Sequence, residues 1–585
     1  MKTTWNLGLL YKDHNDPRIE KDVRSAEKDF AAFEKAYKGK TDYLKNEGKL
    51  LKALQDFESL FSERSFTKSI TYFNFLTDLD SKDSVARAKS TQFIERLTKI
   101  EHKIMFFELS LAKIPAPLQK KFISSKKLAP FAYYLKTVFN KAKHDLSEAE
   151  EKIMSIKSLP AYSHWLDATE KLLAKSSVSF QGRDMPIPEA VNKIGDLPTA
   201  ERRELHASLM KVLESHSDVA ESEINAIVTN KKIDDELRGF VEPYDATILG
   251  YQNERKSVLA LVAAVTDNFR ISHRFLALKA KLLKLPHLEY SDRNIGIGEN
   301  VKKIPFAESV EMLRKVFRDV DPEFEAILNR FLENGQIDVF PRQGKTGGAY
   351  CHSDKNRPTF VLLNDTETFD SASTFAHEMG HAIHSELSKV QPVMYQDYSM
   401  SSAEVASTLF EAILFDAVYE TLSEKEKIVA LHTKINDDIQ TIFRQIACFN
   451  FETEMHKTIR AKGGMSKEEL AALMNKHMSS YLGPITHMKD IDGYYFVQWG
   501  HIRRFFYVYS YAFGQLISKA LYAKYKEDKK FIGKIKQFLS AGGSDSPENI
   551  FKSIGIDVTK PDFWKKGLES ISKDIDKLEK LTKNR

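Results

Sequence analysis

The sequence predicts a mainly α-helical protein with a small β-sheet, on three observations. A helix-start signature recurs, in which serine is followed three residues later by glutamate just ahead of an apolar-periodic run: Ser147/Glu150, Ser423/Glu426 and Ser466/Glu469. Proline, which interrupts helices, accounts for only 18 of 585 residues and gathers in connectors such as KIPAPLQ (113–119) and RDMPIPEA (183–190), so it marks joints between helices and no long linker. Strand-like segments are few: SVSFQG around Phe180, and RPTFVLLN at 357–364.

Each signature has a physical reading. In the serine/glutamate pairs, the hydroxyl and the carboxylate satisfy backbone N–H groups that the first helical turn leaves open. Gly463 and Gly464 close the helix before Ser466, because glycine takes the left-handed conformation at no steric cost. No repeat of fixed period and no low-complexity tract interrupts this pattern.

Composition excludes several classes. The chain is long enough for several subdomains, and 42% hydrophobic residues with 38 Phe and 22 Tyr supply a large core. LALVAAV (259–265) is about the longest apolar run, far short of the ~20 residues of a membrane span. The N-terminal MKTTWNLGLLYKDHNDP lacks a signal-peptide core, and two cysteines, Cys351 and Cys448, fit free thiols in a reducing compartment; the expected location is cytoplasmic. A net charge of +5 with no dense basic block beside aromatic residues argues against nucleic acid, and KKFISSKK (120–127) is a solvated face.

The chemistry concentrates in FAHEMGHAIHSE (375–386). His377 and His381 are four apart, about 40° from each other on a helix, so both can reach one ion. Glu378 falls on the flank of that face, where a carboxylate can act as general base on a metal-activated water. His384 shares the face but rises about 10 Å from His377, too far for one ion to hold all three, and is expected as a packing or ligand-supporting residue. Catalytic zinc takes three protein ligands and an open position. The third is sought in SMSSAEVASTLFEAILF (399–415), where a helix start places Glu404 on the first turn. Glu404 and Glu411 are seven apart on one face of an otherwise apolar helix, which would not bury two carboxylates without partners. Glu404 is favoured as the ligand, with Glu411 holding a ligand histidine, and one zinc per chain follows. In DGYYFVQWGHIRRFFYVYSYAFGQ (492–515), Tyr507, Tyr511 and Gly514 share a helical face with His501 near its N-terminal end, donors that suit an oxyanion site if they are not simply core.

HExGHAxHS from His377, AEVAST at 403–408, and His501, Tyr507, Tyr511 and Gly514 in that order resemble oligoendopeptidase F and the wider thimet oligopeptidase family of zinc peptidases. The resemblance runs from roughly Ile187 to the C-terminus. It implies an N-terminal helical region, 1–186, and a zinc peptidase region, 187–585. It further implies a zincin-like fold of two helical lobes flanking a deep channel, with the small sheet near the HExxH helix, and cleavage of short unstructured oligopeptides. RPTFVLLN is then expected as an edge strand carrying the substrate backbone at Thr359 and Val361, Pro358 being compatible with an edge, and Gly347 and Gly348 as a mobile loop before it. In the mechanism so implied, Glu378 deprotonates the attacking water and Tyr511, Tyr507 or His501 helps to hold the oxyanion. The alternatives are a dipeptidyl carboxypeptidase and a catalytically inactive peptide-binding protein.

Overall fold

The computed structural model describes residues 1–62, 67–298, 303–354 and 357–583. All three serine/glutamate signatures form: Ser147, Ser423 and Ser466 each accept the backbone N–H three residues on, and Glu150, Glu426 and Glu469 accept the N–H of the serine. Gly463 ends its helix in the left-handed region, φ 93°, with its N–H donated to Ile459 O at 2.8 Å. The fold is mainly helical, as expected, and none of the helices among the described residues is long and apolar enough to cross a membrane. Both cysteines are free thiols.

Among the described residues, seven short strands make three sheets. They are β1 (Ser177–Phe180), β2 (Arg183–Pro186), β3 (Leu288–Glu289), β4 (Ile337–Asp338), β5 (Tyr350–His352), β6 (Phe360–Leu362) and β7 (Thr486–His487). β1 pairs with β2 antiparallel, β3 with β7 parallel, and β6 lies between β4, parallel to it, and β5, antiparallel. Four helices hold candidate site residues or the groups that support them: α1 (Phe369–Ser388), α2 (Met400–Tyr419), α3 (Arg444–Lys462) and α4 (Tyr509–Glu527).

The chain folds as two compact units, each drawn from three separate segments. Unit 1 comprises Met1–Lys143, Lys302–Val418 and Leu521–Gly555; unit 2 comprises His144–Val301, Tyr419–Ala520 and Ile556–Arg585. The joint between residues 186 and 187 falls inside unit 2, between β2 and the helix that starts at Ile187. In unit 1, an aromatic core joins Trp5, Tyr72, Phe73 and Phe75 to Phe360 and Leu362, and the Trp5 indole N–H donates to Val361 O at 2.8 Å.

That packing corrects the edge-strand expectation. RPTFVLLN supplies the central strand of its sheet, with β4 on one side and β5 on the other, and Phe360, Val361 and Leu362 are all buried. Pro358 precedes the strand and removes no ladder donor, while three consecutive apolar residues suit a strand covered on both faces. The edges of this sheet are its two outer strands, β4 and β5.

Candidate active site

Helices α1 and α2 bring the first group of residues together within unit 1. Thr368 caps α1, its hydroxyl accepting the Ser371 N–H at 3.1 Å. Gly380, between the two histidines, allows the helices to touch: a Cβ there would sit 2.7 Å from Ser407 Cα and 2.9 Å from Ala406 O. Any side chain would push α2 outward, and with it Glu404. The reading of the sequence passed over Gly380, although a glycine inside a helical run is itself a sign of close backbone approach. α2 begins at Met400, so Glu404 lies beyond the first turn and has no role in compensating the helix dipole, unlike the first-turn position expected.

His377 Nε2, His381 Nε2 and Glu404 Oε2 form a triangle with sides of 3.2, 3.4 and 3.5 Å. Ligand atoms at the usual 2.0–2.2 Å from a tetrahedral zinc lie about 3.3–3.6 Å from one another, so the donor set fits such an ion in both chemistry and spacing. These three are the one group of metal-type donors among the described residues. His377 Nδ1 bonds Glu411 Oε1 at 2.9 Å, and the Ser407 hydroxyl donates to Glu404 Oε2 at 2.9 Å, so ring and carboxylate are both oriented from behind. Burial disfavours charge on His377, but the Glu404 and Glu411 carboxylates outweigh it and lift the imidazole to about 10. Glu404 is also partly buried, yet its bonds to His377 and His381 hold it well below the usual carboxylate range. A cation entering the cluster would replace the proton on His377.

Glu378 is 5% exposed, and its Oε2 has no protein partner among the described residues. Burial raises its pKa against the pull of His377 and His381. His384 stands apart from the triangle, its ring stacked on Tyr398 at 3.7 Å and 4°. Burial presses its pKa down to about 3, so the ring is neutral.

The residues expected to bind substrate are distributed differently. Thr359 and Val361 are fully buried; the Thr359 hydroxyl donates to Glu386 at 2.7 Å, and the Val361 N–H to Gln336 O at 2.8 Å. Val361 O accepts the Trp5 indole N–H at 2.8 Å, and Thr359 O accepts the Gln336 side-chain amide at 2.7 Å. Gly347 and Gly348 are exposed and lead into β5, and Asn364 ties their loop down by donating to Gly348 O at 2.7 Å. β5 packs against α1, and on it burial, with the Glu378 carboxylate, raises the Cys351 thiol.

His501, Tyr507 and Tyr511 assemble within unit 2. Their ring centroids lie 5.4 Å (His501 to Tyr507), 6.0 Å (His501 to Tyr511) and 5.6 Å (Tyr507 to Tyr511) apart, and the two phenol oxygens are separated by 3.5 Å. The three do not share one helix face as expected. His501 belongs to a 3₁₀ turn, Gly500–Arg503, Tyr507 precedes α4, and only Tyr511 is on it. Between them Phe505 and Phe506 both take left-handed backbone, φ 49° and 65°, an uncommon choice for bulky side chains and one that needs support. Glu452, fully buried on α3, supplies it by accepting the Phe506 N–H at 2.8 Å, and Thr247 by donating to Phe505 O at 2.9 Å. Burial, with Arg444 and Arg504 nearby, lowers His501 to about 4, leaving it a neutral donor.

Burial also raises Glu452 to about 8. The folded state therefore keeps a proton that an unfolded glutamate gives up near its ordinary value, so folding binds extra protons in that window and stability falls as pH rises through it toward 8. Glu452→Gln retains an acceptor but cannot ionise. Melting curves from pH 5 to pH 8.5 are expected to show the variant gaining on the parent as pH rises; a constant difference would mean that Glu452 is ionised throughout.

Residues 205–570 match the profile described as Peptidase family M3, and residues 111–167 match one described as Oligopeptidase F. The chain is 23% identical to an oligoendopeptidase F homolog of Lactococcus lactis subsp. lactis (strain IL1403), across 99% of this chain and 97% of that protein. It is 25% identical to oligopeptidase PepF of Bacillus subtilis (strain 168), across 87% and 78%. Among solved structures, oligoendopeptidase-F from Enterococcus faecium shares the fold with a TM-score of 0.70 at 18% identity, covering 97% of this chain and 98% of that one. These matches bear out the resemblance read from the motifs and extend it N-terminal to Ile187, where the sequence offered only helical character.

Proposed function

The chain belongs to peptidase family M3, and on that premise we propose that it is a zinc-dependent endopeptidase cleaving short, unstructured oligopeptides. One observation carries the reading: three donor atoms, His377 Nε2, His381 Nε2 and Glu404 Oε2, at 3.2, 3.4 and 3.5 Å from one another, a tetrahedral face whose fourth corner is left for substrate chemistry. Zinc held there would supply Lewis acidity, polarising a carbonyl and acidifying water.

The remaining work falls to the side chains. Glu411 accepts the Nδ1–H of His377 and so keeps Nε2 free to ligate. Glu378 takes the proton of the attacking water on its unpartnered oxygen and returns it to the leaving amine nitrogen, so no acyl-enzyme is needed. Tyr511 or Tyr507, with neutral His501, donates to the carbonyl oxygen as charge gathers on it. An extended peptide would pair as an added strand with β5, an edge strand that packs against α1.

Metal analysis should find about one zinc per chain, and a chelator should abolish cleavage. Peptides blocked at both ends should be cut internally, while a stably folded globular protein is spared. Release of dipeptides only from free C-termini would make the enzyme a carboxypeptidase, and chelator-resistant cleavage would remove the metal from the reaction.

Tyr511→Phe deletes one donor without changing packing volume, so kcat should fall about 10²–10³-fold with KM little altered. Tyr507→Phe, measured beside it, decides which phenol donates. If Tyr511→Phe loses thermal stability at full rate while Tyr507→Phe loses rate, the donor is Tyr507; if neither loses rate, both phenols are structural.

A further inference from the structure

In unit 2, two guanidinium groups that stack on aromatic rings, those of Arg444 and Arg293, have no carboxylate partner among the described residues. Arg444, the first residue of α3, lies with its Cζ 4.4 Å over the Trp499 ring, and its Nε is buried without a hydrogen bond. Arg293 lies 3.8 Å over the Tyr290 ring and donates one Nη to Tyr290 O at 2.7 Å, while its Nε is likewise unpartnered. Tyr290 and Tyr481 are fully buried, and neither hydroxyl has a partner among the described residues. The Tyr495 ring joins these groups into one neighbourhood, with its centroid 5.9 Å from Tyr290, 5.4 Å from Arg293 Cζ and 5.9 Å from the Trp499 ring that carries Arg444, and Tyr481 feels the charge of both arginines. The adjacent carboxylates are committed elsewhere: Asp292 to Arg202 and Arg203 at 2.8 and 2.9 Å, and Asp492 to His206 at 2.8 Å.

The cluster is therefore rich in donors and poor in acceptors. Buried cations without a counter-charge are costly, and so are buried hydroxyls without an acceptor. Stacking on Tyr290 and Trp499 offsets part of the charge but gives nothing to the Nε and hydroxyl protons. Burial raises both phenols, so they remain donors at any physiological pH. We propose that unit 2 holds a small monovalent anion, a halide or a carboxylate, at Arg444, with Tyr481, Tyr290 and Arg293 completing the donor set. Arg444 keeps some solvent exposure, although its Nε is buried. Trp499, on which Arg444 stacks, has its ring 6.0 Å from His501, so occupancy is felt next to the donor group of the proposed reaction.

The test has two arms. In the first, sodium bromide replaces a bulky sulfonate salt at constant ionic strength while melting is followed. The parent should gain about 2 °C or more along a single-site saturation curve, Arg444→Gln should not respond, and Tyr481→Phe should need roughly tenfold more bromide, the cost of one hydrogen bond. Crystals grown in bromide should show an anomalous peak within hydrogen-bond distance of Tyr481 Oη and Arg444. The second arm compares peptides ending in carboxylate and in amide: if the anion is the substrate's own terminus, the parent prefers the acid by about tenfold in kcat/KM and Arg444→Gln does not. This arm rests on the peptidase reading, whereas the first needs no catalysis, so the two can fail separately. Either dependence on Arg444 supports the site and names its source. A bromide response and an acid/amide ratio both unchanged in Arg444→Gln and Tyr481→Phe would overturn it.

Discussion

Glu378→Gln is expected to keep its fold and its zinc while kcat falls by about 10²–10⁴-fold. The substitution conserves shape, and the amide cannot take up a proton. Glu378 lies outside the donor triangle of His377, His381 and Glu404, so removing its charge leaves the ligand set whole. Its surroundings suit a base that must hold a proton in transit: it is buried, its Oε2 is unpartnered, and burial raises its pKa toward the range in which uptake and release are both easy. Metal content, melting temperature and single-turnover rates on one blocked peptide separate the outcomes. Near-parental turnover at full zinc occupancy would contradict base catalysis by Glu378, and loss of zinc would make it a ligand.

The second large effect concerns the third ligand. Glu404→Ala and His381→Ala should each empty the site, because three protein ligands are the minimum for a catalytic zinc. Glu411→Ala removes only the group that orients His377 and should weaken zinc binding about 10–100-fold while a saturated enzyme still forms. Zinc titrations with a colorimetric competitor on the three variants give the order. Full zinc retention in Glu404→Ala together with loss in Glu411→Ala would exchange the two roles.

The readable parts of the sequence were those whose physics is local. The capping boxes depend on a serine and a glutamate three apart, and the histidine pair on a four-residue spacing, so each needs only one turn of helix to be seen. The pairing of Glu404 and Glu411 with the α1 histidines was accessible because an apolar helix that carries two carboxylates on one face must find partners for them. What escaped depends on contacts distant along the chain. The central place of RPTFVLLN is set by β4 and β5, of two and three residues, too short to register as strands. The turn that gathers His501, Tyr507 and Tyr511 uses left-handed phenylalanines, and nothing local to them announces that conformation; its support comes from Glu452, 54 residues earlier. Gly380 was visible, but its purpose exists only against Ser407.

The interleaving of the two units has a consequence in time. Each unit needs three stretches of chain, and unit 1 is complete only when Leu521–Gly555 has been made. The Trp5 indole bonds a carbonyl 356 residues downstream, so at the usual 5–20 residues per second the N-terminal aromatic cluster waits about 20–70 s on the ribosome before Phe360 and its neighbours arrive to cover it. Trp5 through that interval, and Phe73 and Phe75 through the later part of it, lack the cover that Phe360 and Leu362 provide and are open to whatever binds nascent apolar chains. A stalled or truncated product ending before β6 would leave them uncovered, so the abundance of this protein should respond to translation speed and chaperone supply more sharply than that of a chain whose domains follow one another in sequence.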